Sequence, residues 1–166
     1  GHVESKLFVG AWAGAMGQSQ FMPSSFFSYA QDFDGDGKKD LWNSELDAFA
    51  SIANYLSKNG WVYSERWGKK IRVERKLYDL FPPTAKKSGC RALNHHSTKL
   101  PLEEWKNLGV DSGKLAMGKT YALLRLSDAP DQTYLVGSNF GTILQYNCAN
   151  KYAVSVGILA DHLAEI

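Results

Sequence analysis

The chain has 166 residues, 44% hydrophobic and 13% aromatic, which is enough apolar surface to bury the core of one ordinary domain and excludes disorder or collagen-like repetition. With 19 Lys and Arg against 17 Asp and Glu the formal charge is +2, no long basic block is present, and a nucleic-acid partner is not expected. Nothing reaches the roughly 18 consecutive apolar residues of a spanning helix, since even Val9 to Met22 is short and interrupted by Gly and Gln.

Gly1-His2 without Met does not read as a natural start, and any export signal or lipid anchor would stand upstream. The run Gly10 to Gly17 is dense in small residues and permits close backbone approach. Pro23 followed by Ser24 and Ser25 starts a helix expected near 24 to 31. An acidic loop follows from Asp32 to Asn43. Ser44 then caps a second helix, with Glu45 and Asp47 in its first turn, Ala48, Ile52, Tyr55 and Leu56 at helical spacing, and Asn59-Gly60 as its close.

Beyond Trp61 the pattern shortens. Ile71 to Arg75 alternates like a half-buried strand, and Pro82-Pro83 stops what precedes it. Leu102, Trp105 and Leu108 predict a short helix before Gly109. Tyr121 to Leu126 and Thr133 to Val136 bracket a longer hairpin loop from Ser127 to Gln132. Helical spacing returns at Phe140, Ile143 and Leu144 and again from Tyr152 to Ile166, where Val154, Ile158, Leu159, His162 and Leu163 are expected on one face. Cys90 and Cys148 lack metal-site spacing; they are either one bridge, in an oxidising compartment, or two free thiols. His95-His96 has no third ligand nearby and reads as a plain exposed loop rather than a metal site.

In the acidic loop, Asp32, Asp34, Asp36 and Asp40 take positions 1, 3, 5 and 9 of an EF-hand-type pattern, with Gly37 at position 6. Calcium requires roughly six to eight oxygens, which alternate carboxylates on a tight loop and a backbone carbonyl from Lys38 can supply. Position 12 is Asn43 rather than the usual Glu, so Asp47 is the expected closing ligand. The plain alternative is a solvated turn, with Asp47 a capping partner for Ser44. Independently, Gln20 with Phe21, and Gln145, Tyr146 and Asn147 with Tyr152, pair amides with aromatics. Amides bond sugar hydroxyls and aromatic rings cover the apolar faces of sugars, although core packing is the default reading of the first cluster.

The ordered set Trp12 to Gln18, Gln20 to Ser25, Tyr29-Ala30, Asp32 to Gly37, Leu41-Trp42, Ala53 to Leu56 and Gly60-Trp61, with Asn139-Phe140, Tyr146-Asn147 and Tyr152-Ala153 in the tail, resembles the MltB-type lytic murein transglycosylases, as a carboxyl-terminal portion. The resemblance implies an α+β, mainly α fold: a lysozyme-like helical core with an EF-hand-like loop over 1–62, a small mixed sub-domain over 63–138, and helices over 139–166 that return to the core. It implies a monomeric periplasmic enzyme, lipoprotein-anchored to the outer membrane in full length, whose partner is the peptidoglycan glycan strand. The reaction cleaves the β-1,4 bond between N-acetylmuramic acid and N-acetylglucosamine to leave a 1,6-anhydromuramoyl end.

By the same resemblance Gln20, Phe21, Tyr55, Tyr146, Asn147 and Tyr152 line the glycan cleft. A structural calcium takes Asp32, Asp34, Asp36, Lys38, Asp40 and Asp47. Ala11 stands where some relatives carry a hydroxyl residue. The family's single catalytic Glu is expected upstream of residue 1, because Glu4 stands too near the Gly14 segment and Glu45, Glu65, Glu74, Glu103, Glu104 and Glu165 read as caps, strand or surface. The chain alone is therefore expected to be inactive. The reading from another class is a non-catalytic, calcium-stabilised glycan-binding or adhesion module.

Overall fold

The computed structural model describes residues 1–84, 89–126 and 129–164, in two compact units, Gly1–Asn59 and Gly60–Ile166. Ser127-Asp128 of the expected hairpin loop, and Glu165-Ile166 of the expected last helix, lie outside the described residues.

In the first unit the small-residue run folds back on itself: Met16 pairs with both Gly10 and Phe21. Gly17 has φ +62°, and a Cβ there would lie 2.5 Å from the Leu41 carbonyl, so only glycine allows Gln18 N–H to reach that carbonyl at 2.7 Å. Helix α1 spans Pro23–Tyr29, with Pro in its first turn. It stops short of the expected residue 31 because Ala30 is extended and Gln31 N–H turns away to donate to Ser51 Oγ at 2.8 Å. Helix α2, Glu45–Lys58, has Ser44 as N-cap, whose Oγ accepts from Asp47 N. Its buried face is Asp47, Ala48 and Ser51, while Ile52, Tyr55 and Leu56 are half-buried.

The second unit is built on a four-stranded antiparallel sheet, β1 (Gly68–Ile71), β2 (Leu100–Pro101), β3 (Thr120–Leu126) and β4 (Ala129–Val136), in the order β1-β4-β3-β2. The strand expected over 71 to 75 thus ends where it was expected to begin. Glu74, extended, serves instead as N-cap of α3, Arg75–Leu80, which stops before Pro82. Likewise β4 starts at Ala129, inside the stretch expected to be loop.

Both faces of the sheet are covered, which is why β3 reads Tyr-Ala-Leu-Leu without polar alternation. Ala122, Leu124, Leu126, Tyr134 and Val136 pack with Trp67 against Phe140, Ile143 and Leu144 of α5 (Ser138–Tyr146) and Ala153 and Val154 of α6 (Asn150–Leu163). Tyr121, Leu123 and Leu135 face Leu102 and Trp105 of α4 (Leu102–Asn107) and Ile71. Trp105 Nε1–H donates to the Tyr121 carbonyl at 2.9 Å, and the buried Asn139 amide bonds Val62 N–H, Val62 O and Glu65 O. Helices α5 and α6 thus share their core with this sheet. Cys90 and Cys148 are bridged, with Cα atoms 5.4 Å apart.

The face expected for α6 is corrected. Ala153, Val154 and Gly157 are buried, whereas Ile158, Leu159 and Leu163 are exposed at 38%, 60% and 63%. The Trp67 indole lies on Gly157, and its Nε1–H donates to Asp161 Oδ2 at 3.0 Å, so the helix is rotated to offer glycine to the ring. A Cβ at Gly157 would overlap that indole. Gly157→Ala therefore lowers stability by about 1–3 kcal/mol in urea unfolding, despite alanine's better helix propensity. Gly141→Ala in α5, with nothing within 4 Å of the new methyl, raises it by about 0.5–1 kcal/mol. Equal shifts of one sign at both positions would refute the packing account.

Candidate functional site

The acidic loop of the first unit coils around its own carboxylates. Asp32 Oδ1 and Oδ2 accept from Gly35 N–H at 2.8 Å and Gly37 N–H at 2.9 Å. Asp34 Oδ1 accepts from Asp36 N–H at 3.2 Å, and Asp36 Oδ1 from Lys38 N–H at 2.8 Å. These turns bring one oxygen from each of Asp32, Asp34 and Asp36 within 4.8 Å of one another. Three converging hard oxygens, with no sulfur or imidazole, suit a cation of the calcium type.

Asp40 and Asp47 are engaged differently. Asp47, 1% exposed, accepts from Phe33 N–H on Oδ1 and Asp40 N–H on Oδ2, both at 2.8 Å, so it ties the two ends of the loop to the start of α2. Asp40 Oδ1 accepts from Trp42 and Asn43 N–H, and the Asn43 amide donates to both oxygens. Burial pushes the Asp40 carboxyl upward, but the Asn43 and Trp42 hydrogen bonds and nearby Lys38 outweigh it and leave the group below the usual carboxylate range.

Of the residues expected along a glycan, three belong to the first unit. Gln20 stands at φ +51°, an uncommon conformation for a non-glycine residue, and its exposed side-chain amide donates to the Gly17 carbonyl at 2.9 Å. Phe21 is only 2% exposed and packs 5.9 Å from the Tyr55 ring, and Tyr55 meets Tyr29 edge-on at 4.7 Å. Burial, then the neighbouring Tyr29, pushes the Tyr55 phenol up. The same unit carries an apolar groove of about 600 Å³ lined by Ala11, Gly14, Phe8, Phe26, Phe27 and Trp42 among others. Trp42 Nε1–H is spent on the Val9 carbonyl at 2.7 Å.

In the second unit Tyr146 ends α5, Asn147 is its C-cap, and Tyr152 lies in the first turn of α6, 38% exposed. The three flank a single corner. Asn147 N–H bonds the Ile143 carbonyl and Ala149 N–H bonds Asn147 O, which holds the corner tight. His96, expected in an exposed loop, is 4% exposed and bonds Asn150 Oδ1 at 2.9 Å, whereas His95 is exposed.

Two of the described glutamates are held as anions. Lys119, at 2.7 Å, and then Ser138 hold the Glu65 carboxyl below its usual range, and a Gly118 N–H bond does the same at Glu103. Glu4 pairs with Lys6 at 2.9 Å, Glu45 opens α2, Glu74 caps α3 and Glu104 is exposed. A general acid needs the opposite environment, one that keeps its proton near neutral pH.

Comparison with known proteins decides the family: residues 1–161 match the transglycosylase SLT domain. The chain belongs to that family. It is 35% identical over 157 residues to membrane-bound lytic murein transglycosylase B of Escherichia coli, covering 93% of this chain and 39% of that protein. SltB3 of Pseudomonas aeruginosa, solved in complex with NAG-anhNAM-pentapeptide, matches with a TM-score of 0.78 at 39% identity, over 98% of this chain and 42% of that one. Escherichia coli Slt35, solved in complex with calcium, matches with a TM-score of 0.68 at 33% identity, over 93% and 46%.

The chain thus spans about two fifths of the length of such relatives. The MltB-type resemblance and the α+β, mainly helical, lysozyme-like class are borne out. Among the described residues no helix is long and apolar enough to cross a membrane. Two features escaped sequence reasoning: Asp47 as a buried clamp, and Asn150 as a tie from the start of α6 to Ala92 and His96. The first was signalled only by an acid placed on a buried helix face; the second joins residues with no common local pattern.

Proposed function

We propose that this chain is the glycan-binding, calcium-stabilised portion of a periplasmic lytic transglycosylase acting on the MurNAc-GlcNAc bond of peptidoglycan. The family match across residues 1–161 is the observation that carries this reading, and relatives solved with NAG-anhNAM and NAG-NAM pentapeptides support it. Gln20 and Tyr55, and Tyr146, Asn147 and Tyr152, hold the sugars by amide and ring contacts, with Phe21 packed behind Tyr55. Asp32, Asp34 and Asp36 hold calcium, joined by the Lys38 carbonyl and by Asp40 and Asp47 on rearrangement; the ion braces the loop and takes no part in the chemistry.

In this reading a Glu outside residues 1–166 protonates the leaving glycosidic oxygen. It then removes the proton from the C6 hydroxyl, whose oxygen closes on C1 to give the 1,6-anhydro end. The lowered carboxyls of Glu65 and Glu103 favour this placement. So does the apolar surface of the first unit, where Trp12 is 100% and Phe27 83% exposed.

The test incubates the 166-residue chain, and the same chain extended on its amino side to the relatives' length, with purified peptidoglycan. Products are read by mass spectrometry beside a calcium-dependent melting scan. Only the extended chain is expected to release anhydromuropeptides, and calcium at about 100 times its Kd should add about 2.7 kcal/mol of stability to both. Anhydromuropeptides from the short chain would overturn the placement of the acid. A folded, extended chain that yields none would overturn the transglycosylase reading.

A further inference from the structure

Helix α6 begins without a side-chain cap: its N-cap is Ala149, and its first residue, Asn150, sends its side chain to another element. Asn150 Nδ2 donates to the Ala92 carbonyl at 2.9 Å, and Oδ1 is bonded to His96 Nε2 at 2.9 Å. Because the amide oxygen can only accept, His96 carries a proton on Nε2. Both bonds end in a dry place. Ala92 is 8% and His96 4% exposed, so little water stands by to replace either bond once it is broken. The His96 ring is steadied in turn by Phe140, with centroids 5.6 Å apart.

The partners of Asn150 belong to a rigid support. Ala92 lies in a 3₁₀ turn, Arg91–His95, and His96 closes that turn. His96 pairs with Leu124 of β3, Ser97 N–H donates to the Leu123 carbonyl at 2.9 Å, and Ser97 Oγ accepts from Leu123 N–H at 2.8 Å. Leu123 and Leu124 are fully buried, so the turn is fixed to the middle of the sheet. The Cys90–Cys148 bridge joins the same turn to the α5–α6 corner. Its main effect is on the unfolded chain, whereas the two directed bonds of Asn150 exist only in the folded one.

We propose that Asn150 is a positioning residue for glycan binding, which sets the direction in which the α5–α6 corner presents Asn147 and Tyr152. The inference rests on the glycan reading above. Asn147 and Tyr152 stand on either side of Asn150, within one helical turn of it, and both are exposed. A tilt of the first turn of α6 therefore displaces them relative to each other. Asn150 itself touches no sugar, because its amide is spent on Ala92 and His96. Holding the corner in one arrangement before the glycan arrives spares binding the cost of ordering it.

The test titrates the 166-residue chain with the peptide-free GlcNAc-anhydroMurNAc disaccharide, follows backbone amides by NMR well below the melting temperature, and measures stability by urea unfolding. Three variants are compared with the unaltered chain: Asn150→Asp, Asn150→Ala, and Cys90→Ser with Cys148→Ser. Asn150→Asp keeps the size, the His96 bond and a charge suited to a helix start, but sets a carboxylate oxygen against the Ala92 carbonyl. Both Asn150 variants are expected to bind about five- to tenfold more weakly, the population shift that one lost hydrogen bond produces. The cysteine pair loses more stability yet keeps both Asn150 bonds, so it should bind within about twofold of the unaltered chain. A merely structural role predicts the reverse order, with affinity following stability.

Asn150 variants that bind as the unaltered chain does, with the Asn147 and Tyr152 amides moving as before, would overturn the inference and leave the glycan reading standing. So would an affinity that falls in step with stability across all three variants. The amides of Leu123 and Leu135 report whether each variant is folded; if one Asn150 variant is not, the other carries the comparison, and loss of the fold in both would make Asn150 a structural residue and overturn the inference. An unaltered chain in which the disaccharide moves neither Asn147 nor Tyr152 would overturn the glycan reading at this corner and the inference with it.

Discussion

Replacing Cys90 and Cys148 together by serine lowers the unfolding free energy of the second unit by about 4 kcal/mol. The bridge closes a loop with a sequence separation of 58. Chain-entropy reasoning for a loop of that size gives about 4 kcal/mol of stabilisation, because the open chain regains freedom only in the unfolded state. In the folded state the 3₁₀ turn and the α5–α6 corner keep the Asn150 bonds to Ala92 and His96. Urea unfolding followed by tryptophan fluorescence, with and without reductant, measures the effect. Trp67 and Trp105, both buried in this unit, report it. A loss below about 1 kcal/mol would mean that the loop is already restrained when unfolded. A bridge of this kind persists in oxidising compartments, in keeping with the proposed periplasmic location.

Asp47→Ala should cost the first unit about 3–5 kcal/mol and abolish the stabilisation by calcium proposed above. Both Asp47 oxygens accept backbone N–H bonds at 2.8 Å from a site 1% exposed to solvent. Removing the carboxylate leaves the Phe33 and Asp40 N–H groups without acceptors, and each such loss costs about 1.5–3 kcal/mol when the acceptor is charged. Asp47→Asn is expected to fare little better, since its NH₂ must face one of two donors. The clamp sets the separation of the two ends of the acidic loop, so its loss also scatters Asp32, Asp34 and Asp36. Thermal melting with and without calcium measures both effects; a variant that retains the full calcium-dependent rise would show that the loop holds its geometry without Asp47.

The candidate site was legible where its logic is local. The Asp-x-Asp-x-Asp-Gly spacing of residues 32 to 37 announced a converging oxygen set, because each carboxylate bonds N–H groups only two to five residues ahead. The division of labour within that set was not legible. Asp40 and Asp47 look like further ligands in the sequence, and the structure adds that they also accept hydrogen bonds from Asn43, Trp42 and Phe33. Phe21, quoted with Gln20 as one amide-aromatic pair, is buried while Gln20 is exposed, and periodicity has no hold on a reversal built around Met16 and a left-handed Gln20.

By itself the sequence determined the helices α1, α2 and α4, the acidic loop between the first two, the helical tail and the family. Each of these is announced by residues that interact within a few positions, through Pro at a first turn, Ser44 as a cap, or ordered motifs. Tertiary structure alone decided that Glu74 opens a helix where alternation suggested a strand, that Trp67 selects the Gly157 face of α6, and that both faces of the sheet are buried. It alone tied Asn150 to Ala92 and His96. Those outcomes depend on partners many residues away, whose packing outweighs propensities of a few tenths of a kcal/mol per residue.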